Sequence, residues 1–131
     1  MARHREVIDR CFAGDTIEEI LSRLAIEKTH WTDETIAVLQ RKSPTSLKVT
    51  LRQLRLGAAL SDFAAAMRME FALALHMVAA DDFHEGVRAA VIDKDQAPRW
   101  RPTALAEVSD EMVERYFELA NGSDLELAAE P

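Results

Sequence analysis

The chain has 131 residues, 48% hydrophobic and 30% charged, with a formal net charge of -7 and a single cysteine. That length and composition describe one soluble globular domain able to bury a core without disulfide or metal staples. The acidic balance excludes general nucleic-acid binding, which needs a Lys/Arg surplus to neutralise phosphates. Cys11 has no internal disulfide partner, and the Met1-Ala2-Arg3-His4-Arg5 start carries no apolar secretion segment, so a reducing compartment, the cytoplasm, is expected.

Four glycines, four prolines and apolar residues recurring at three and four predict an all-α bundle of six or seven helices. An opening helix is expected from Arg5 to Phe12. Thr16-Ile17-Glu18-Glu19 has the capping-box pattern that satisfies free N–H groups at a helix start, ahead of Ile20, Leu21 and Leu24. Thr32 is expected to cap a helix to about Lys42. Ser43 followed by Pro44 is a cap with proline at the first helical position.

Ser61 is the expected cap of a long apolar helix to Ala80. Arg68, Glu70 and His76 interrupt that run, so it reads as a buried core helix and not as a membrane span. Asp82-Phe83-His84-Glu85 repeats the capping pattern for a helix to about Asp93. Pro98, Trp100 and Pro102 alternate, so Asp95 to Pro102 must be extended. Ser109 opens a last helix expected to end at Asn121-Gly122, which sets a helical domain of 1–122; 123–131 is expected to be a frayed acidic tail.

Charge is unevenly placed. From Thr103 to Pro131 there are eight acids against Arg115, whereas Thr35 to Ser61 holds no acid and carries Arg41, Lys42, Lys48, Arg52 and Arg55. Within the fourth helix Leu47, Leu51 and Leu54 form an apolar stripe, and Lys48, Arg52 and Arg55 form a basic stripe one residue on. Three cations on one face repel one another, so something must offset them. A phosphate-bearing ligand does so on one reading. Solvent, or Glu111, Glu114 and Glu118 of the last helix, does so on the other.

His4, His30, His76 and His84 lack the spacing of a zinc hydrolase, and Cys11 has no partner at metal spacing, so no metal site is expected. Cys11 beside Phe12 reads as an inert core thiol. Gly14, Gly57, Gly86 and Gly122 stand alone, whereas acyl transfer needs paired N–H groups aimed at a developing oxyanion. No catalytic residue is assigned. The chain does not read as a complete enzyme.

Ser43-Pro44-Thr45-Ser46-Leu47-Lys48-Val49-Thr50-Leu51-Arg52-Gln53-Leu54 resembles a signature stretch of the 3-hydroxyisobutyryl-CoA hydrolases, a branch of the enoyl-CoA hydratase/isomerase (crotonase) superfamily. Asp82-Phe83-His84-Glu85-Gly86-Val87-Arg88-Ala89, then Ile92-Asp93-Lys94-Asp95-Gln96 and Pro98-Arg99-Trp100-Arg101-Pro102, is similar to that family's C-terminal block. The resemblance runs from Arg5 to about Ser123. It departs at Ala72, where the family commonly carries arginine.

The resemblance implies the C-terminal helical region alone, without the α/β core that supplies oxyanion amides and catalytic carboxylates. It implies a parent that hydrolyses 3-hydroxyisobutyryl-CoA in valine degradation, with coenzyme A carried by the substrate and no separate cofactor. Alone, the chain is expected to be inactive. Its expected partners are acyl-CoA in the parent enzyme, the catalytic core in cis or in trans, and a second copy in a homo-oligomer. Lys94, by position in the family block, is expected to contact the CoA phosphates or adenine, with Lys48, Arg52 and Arg55 as further phosphate contacts. A free-standing, non-catalytic helical interaction module derived from the family is the alternative.

Overall fold

The computed structural model describes residues 4–119, and among them there are helices and extended segments but no strand. Seven α-helices follow in chain order: α1 Arg5–Cys11, α2 Ile17–Glu27, α3 His30–Gln40, α4 Pro44–Gly57, α5 Phe63–Ala79, α6 Asp81–Val87 and α7 Asp110–Glu114. The all-helical expectation therefore holds for the described residues, and no single helix there is long and apolar enough to cross a membrane.

Caps explain most starts. The Thr16 hydroxyl accepts from the Glu19 N–H, and Ser43 accepts from Ser46 with Pro44 at the first helical turn. Two expected caps shift. Thr29, not Thr32, caps α3: its hydroxyl accepts from Thr32 N–H, while the Thr32 hydroxyl accepts from Thr29 N–H. A threonine thus fills the role glutamate usually has in a capping box, because left-handed Lys28 ends α2 one residue earlier. Asp62, not Ser61, caps α5, its carboxylate accepting from Ala65 N–H at 2.7 Å.

Asp82 is not a cap at all. The helix begins at Asp81, and the Asp82 carboxylate instead takes the Ser43 hydroxyl at 2.6 Å and the Arg101 N–H at 2.8 Å. After Val87 the expected α-helix widens into a π turn, Arg88–Ile92, closed by Asp93 N–H on Arg88 carbonyl. The last helix is shorter than expected. Beyond Glu114 it tightens into a 3-10 turn, Arg115–Phe117, and the chain then leaves helix as the Glu118 carbonyl contacts His76 Nε2 at 2.8 Å. The expected end at Asn121-Gly122 and the tail 123–131 lie outside the described residues.

Two apolar clusters share α4. Cys11, Ile17, Ile20 and Leu24 form the first, with Leu47 and Leu51 of α4 against it. Val49 joins Leu73, Val108 and Val113 in the second. Alternate flanks of one helix therefore serve both cores, but Leu54, the third leucine of the expected stripe, is 66% exposed. The long apolar helix α5 is less covered than a core helix should be. Ala72 and Leu73 are buried, while Phe63, Leu75 and Val78 are exposed.

Candidate functional site

The basic stripe of α4 is satisfied internally. Lys48 Nζ lies 2.9 Å from Glu18 of α2 and donates to the Val108 carbonyl at 3.1 Å. Arg52 pairs with Glu114 of α7 at 2.7 Å. Arg55 donates to the Phe12 and Gly14 carbonyls at 2.9 and 2.8 Å, holding the turn between α1 and α2. Of the two readings left open by the sequence, pairing with the last helix is what the geometry displays for Arg52.

Electrostatics around the stripe favour the same side. A hollow of about 460 Å³ beside it is lined by Lys48, Arg52 and Arg55, and also by Asp15, Glu18, Asp110 and Glu114. Four acidic residues thus accompany three basic ones around the hollow, and Glu18 and Glu114 already occupy Lys48 and Arg52. Burial alone would raise the Glu18 carboxyl, but the Lys48 hydrogen bond and charge and a backbone hydrogen bond outweigh it and hold it below the usual range.

Lys94 is placed differently. It is exposed, sits at φ 56°, and among the described residues no carboxylate lies within ion-pair distance of it. Its neighbours Asp93 and Asp95 both turn inward to Arg88. The structure therefore does not bring Lys94 into the α4 hollow; the expected phosphate contacts fall at two separate places.

Sequence reading missed the node that shapes the Lys94 segment. Arg88 donates to both oxygens of Glu85 at 2.9 and 2.8 Å, to Asp93 at 2.6 Å, to Asp95 at 2.8 Å and to the Ala97 carbonyl at 3.3 Å. Glu85 also accepts from Arg99 N–H at 2.7 Å. The Arg88 hydrogen bonds, then the Arg99 N–H, drive the Glu85 carboxyl down to about 2. The signal was present as Glu85-x-x-Arg88 at i, i+3, but the convergence of Asp93 and Asp95 depends on the π turn, which no spacing rule gives.

The extended segment after Lys94 is fixed by side chains. Trp100 Nε1 donates to the Arg41 carbonyl at 2.9 Å. Its ring lies against Gly86, where a Cβ would stand 3.4 Å from the indole. A groove of about 690 Å³ runs along this junction, with Arg41 and Lys42 at the end of α3, Phe83 on α6 and Tyr116 beyond α7 among its walls.

No arrangement able to break a thioester is found among the described residues. Cys11 is buried, and burial pushes its thiol up, away from the thiolate a nucleophile needs. No three His, Cys, Asp or Glu side chains group as metal ligands among the described residues.

Residues 1–117 match the family model described as Enoyl-CoA hydratase/isomerase. The chain is 44% identical over 124 residues to the mitochondrial 3-hydroxyisobutyryl-CoA hydrolase of Gallus gallus, covering 95% of this chain and 32% of that protein. It is 40% identical over 129 residues to 3-hydroxyisobutyryl-CoA hydrolase 1 of Arabidopsis thaliana, covering 93% and 34%. Among solved structures, an enoyl-CoA hydratase from Rhodobacter sphaeroides superposes with a TM-score of 0.87 at 33% identity, covering 96% of this chain and 37% of that one. A carnitinyl-CoA dehydratase from Mycobacterium thermoresistibile gives 0.86 at 32%, covering 92% and 34%. The chain spans about a third of the length of the curated relatives it matches.

Proposed function

Because the chain belongs to the enoyl-CoA hydratase/isomerase family, we propose that it serves as the C-terminal helical part of a 3-hydroxyisobutyryl-CoA hydrolase. One observation carries this reading: similarity to those hydrolases runs across 95% of this chain yet covers only 32% of theirs. The parent reaction is attack of water on the thioester of 3-hydroxyisobutyryl-CoA, releasing 3-hydroxyisobutyrate and CoA, a step of valine degradation. The oxyanion donors and carboxylates come from a catalytic core, in cis or in trans. These helices cover the site, help enclose CoA or build subunit contacts.

Lys94 is the proposed contact to the CoA phosphates or adenine. For Lys48, Arg52 and Arg55 the internal partners support bracing, since a phosphate there would have to displace Glu18 and Glu114. Cys11 fits a reducing compartment. The animal relatives are named as mitochondrial, so the mitochondrial interior stands beside the cytoplasm as a placement.

The test is thiol release from 3-hydroxyisobutyryl-CoA. The chain alone should match the buffer blank, and activity should appear only with a catalytic core. Turnover by the chain alone, abolished by one substitution within it, would overturn the proposal. A second reading, a free-standing helical interaction module or homo-oligomer, is favoured by the exposed Phe63, Leu75 and Val78 face of α5. It requires indifference to CoA in calorimetry, and self-association would show by size exclusion at two concentrations.

A further inference from the structure

The loop that carries Lys94 is shaped by one side chain. Lys94 at φ 56° and Gln96 at φ 55° are left-handed, a region L side chains rarely adopt, so surrounding bonds must hold them there. Gln96 N–H is tied to the Ala89 carbonyl at 3.1 Å, and Ala97 N–H to Asp95 at 2.9 Å. Asp93 N–H is held by the Arg88 backbone carbonyl, and the remaining anchors of residues 93–97 run through the Arg88 side chain. Its guanidinium reaches Asp93 before Lys94, Asp95 after it, and the Ala97 carbonyl, while its fork on Glu85 fixes it to α6. Asp93 and Asp95 are drawn to the same nitrogen, so the residue between them is turned outward. Their charges are engaged at Arg88, leaving the Lys94 ammonium without an internal partner among the described residues.

We propose that Arg88 is the positioning residue for Lys94: it gathers Glu85, Asp93 and Asp95 so that Lys94 is presented, unpaired, to a phosphate of CoA. The proposal rests on the reading of Lys94 as a CoA contact. Only a planar, five-donor guanidinium can serve three carboxylates and a carbonyl together, so lysine cannot replace it.

The test uses the full 131-residue chain, with CoA titrated calorimetrically into wild type, Lys94→Ala, Arg88→Gln, Arg88→Lys and the Lys94→Ala/Arg88→Gln double variant. Losing one charge-assisted phosphate contact corresponds to about a tenfold rise in Kd. Arg88→Gln and Arg88→Lys should match Lys94→Ala, and the double variant should be no weaker than either single one. Hydrogen exchange should quicken at the Ala97 and Arg99 amides in the Arg88 variants, with α2 and α4 unchanged. Should Arg88→Gln lose the fold, Asp93→Ala removes a half-exposed carboxylate whose one partner among the described residues is Arg88, and it should weaken CoA likewise.

Wild-type affinity in Arg88→Gln, rescue by Arg88→Lys, or losses that add to those of Lys94→Ala would each overturn the positioning role while leaving Lys94 as a contact. No CoA binding by the wild-type chain, or binding indifferent to Lys94→Ala, would instead overturn the reading of Lys94 and the proposal with it.

Discussion

Replacing Lys48 by methionine keeps the apolar stem and deletes only the ammonium, which separates bracing from phosphate binding in the absence of any ligand. The Lys48 side chain is 19% exposed, and its acceptor belongs to Val108, a residue only 2% exposed. A buried carbonyl left without its donor costs about 1 to 3 kcal/mol. Glu18 is 45% exposed, so loss of its ion pair adds no more than about 1 kcal/mol. Lys48→Met should therefore destabilise the chain by roughly 1 to 4 kcal/mol, lowering the urea midpoint by about 0.5 to 2 M. Equilibrium unfolding followed by circular dichroism measures it, with Glu18→Gln as a control expected to lose less than about 1 kcal/mol. The Glu18 carboxyl is held low in the fold, so its contribution is present above about pH 4.5 and is lost as pH falls through the lowered value. Lys48→Met should flatten that acid limb. A Lys48→Met chain within about 0.5 kcal/mol of wild type would refute the bracing argument.

Three further outcomes are expected. Leu24 is fully buried in the first cluster, and Leu24→Ala should cost about 3 to 5 kcal/mol in the same unfolding assay; a loss below about 1 kcal/mol would mean that the cluster is not packed as described. Lys28 closes α2 at φ 50°, so Lys28→Gly should raise stability by about 0.5 to 1 kcal/mol and the melting temperature by roughly 2 to 5 °C, and a fall would show that its left-handed geometry is mistaken. Glu85 is held down to about 2, so its stabilisation is complete above the ordinary value of 4.5 and disappears as pH drops towards 2. Unfolding midpoints from pH 6 to pH 2 should be less pH-dependent in Glu85→Gln than in wild type.

The sequence carried the helices because helix information is local. Thr16 and Ser43 cap where their side chains demand it, and proline alternation after Asp95 keeps that stretch out of helix, although Gln96 at φ 55° departs from the extended backbone expected there. Where a side chain had a distant alternative, local rules failed. Asp82 gives its carboxylate to Ser43 and Arg101, and the last helix yields at Glu118 to a contact with His76. The basic stripe shows the same limit in the candidate site: the spacing of Lys48, Arg52 and Arg55 was visible, but Glu18, Glu114 and two backbone carbonyls arrive from other elements. Arg88 was missed for the converse reason. Its partners are near in sequence, yet they meet only because a π turn adds a residue to the winding.

The two indoles stand at different seams of the bundle. Trp31 stacks on His4 with ring centroids 4.7 Å apart, at the meeting of α1 and α3, while Trp100 is pinned between Gly86 and the end of α3. The molecule thus contains a pair of optical gauges, one for the amino-terminal contact and one for the proline-rich strap. Single-tryptophan variants would let intrinsic fluorescence follow the detachment of either region without an added label.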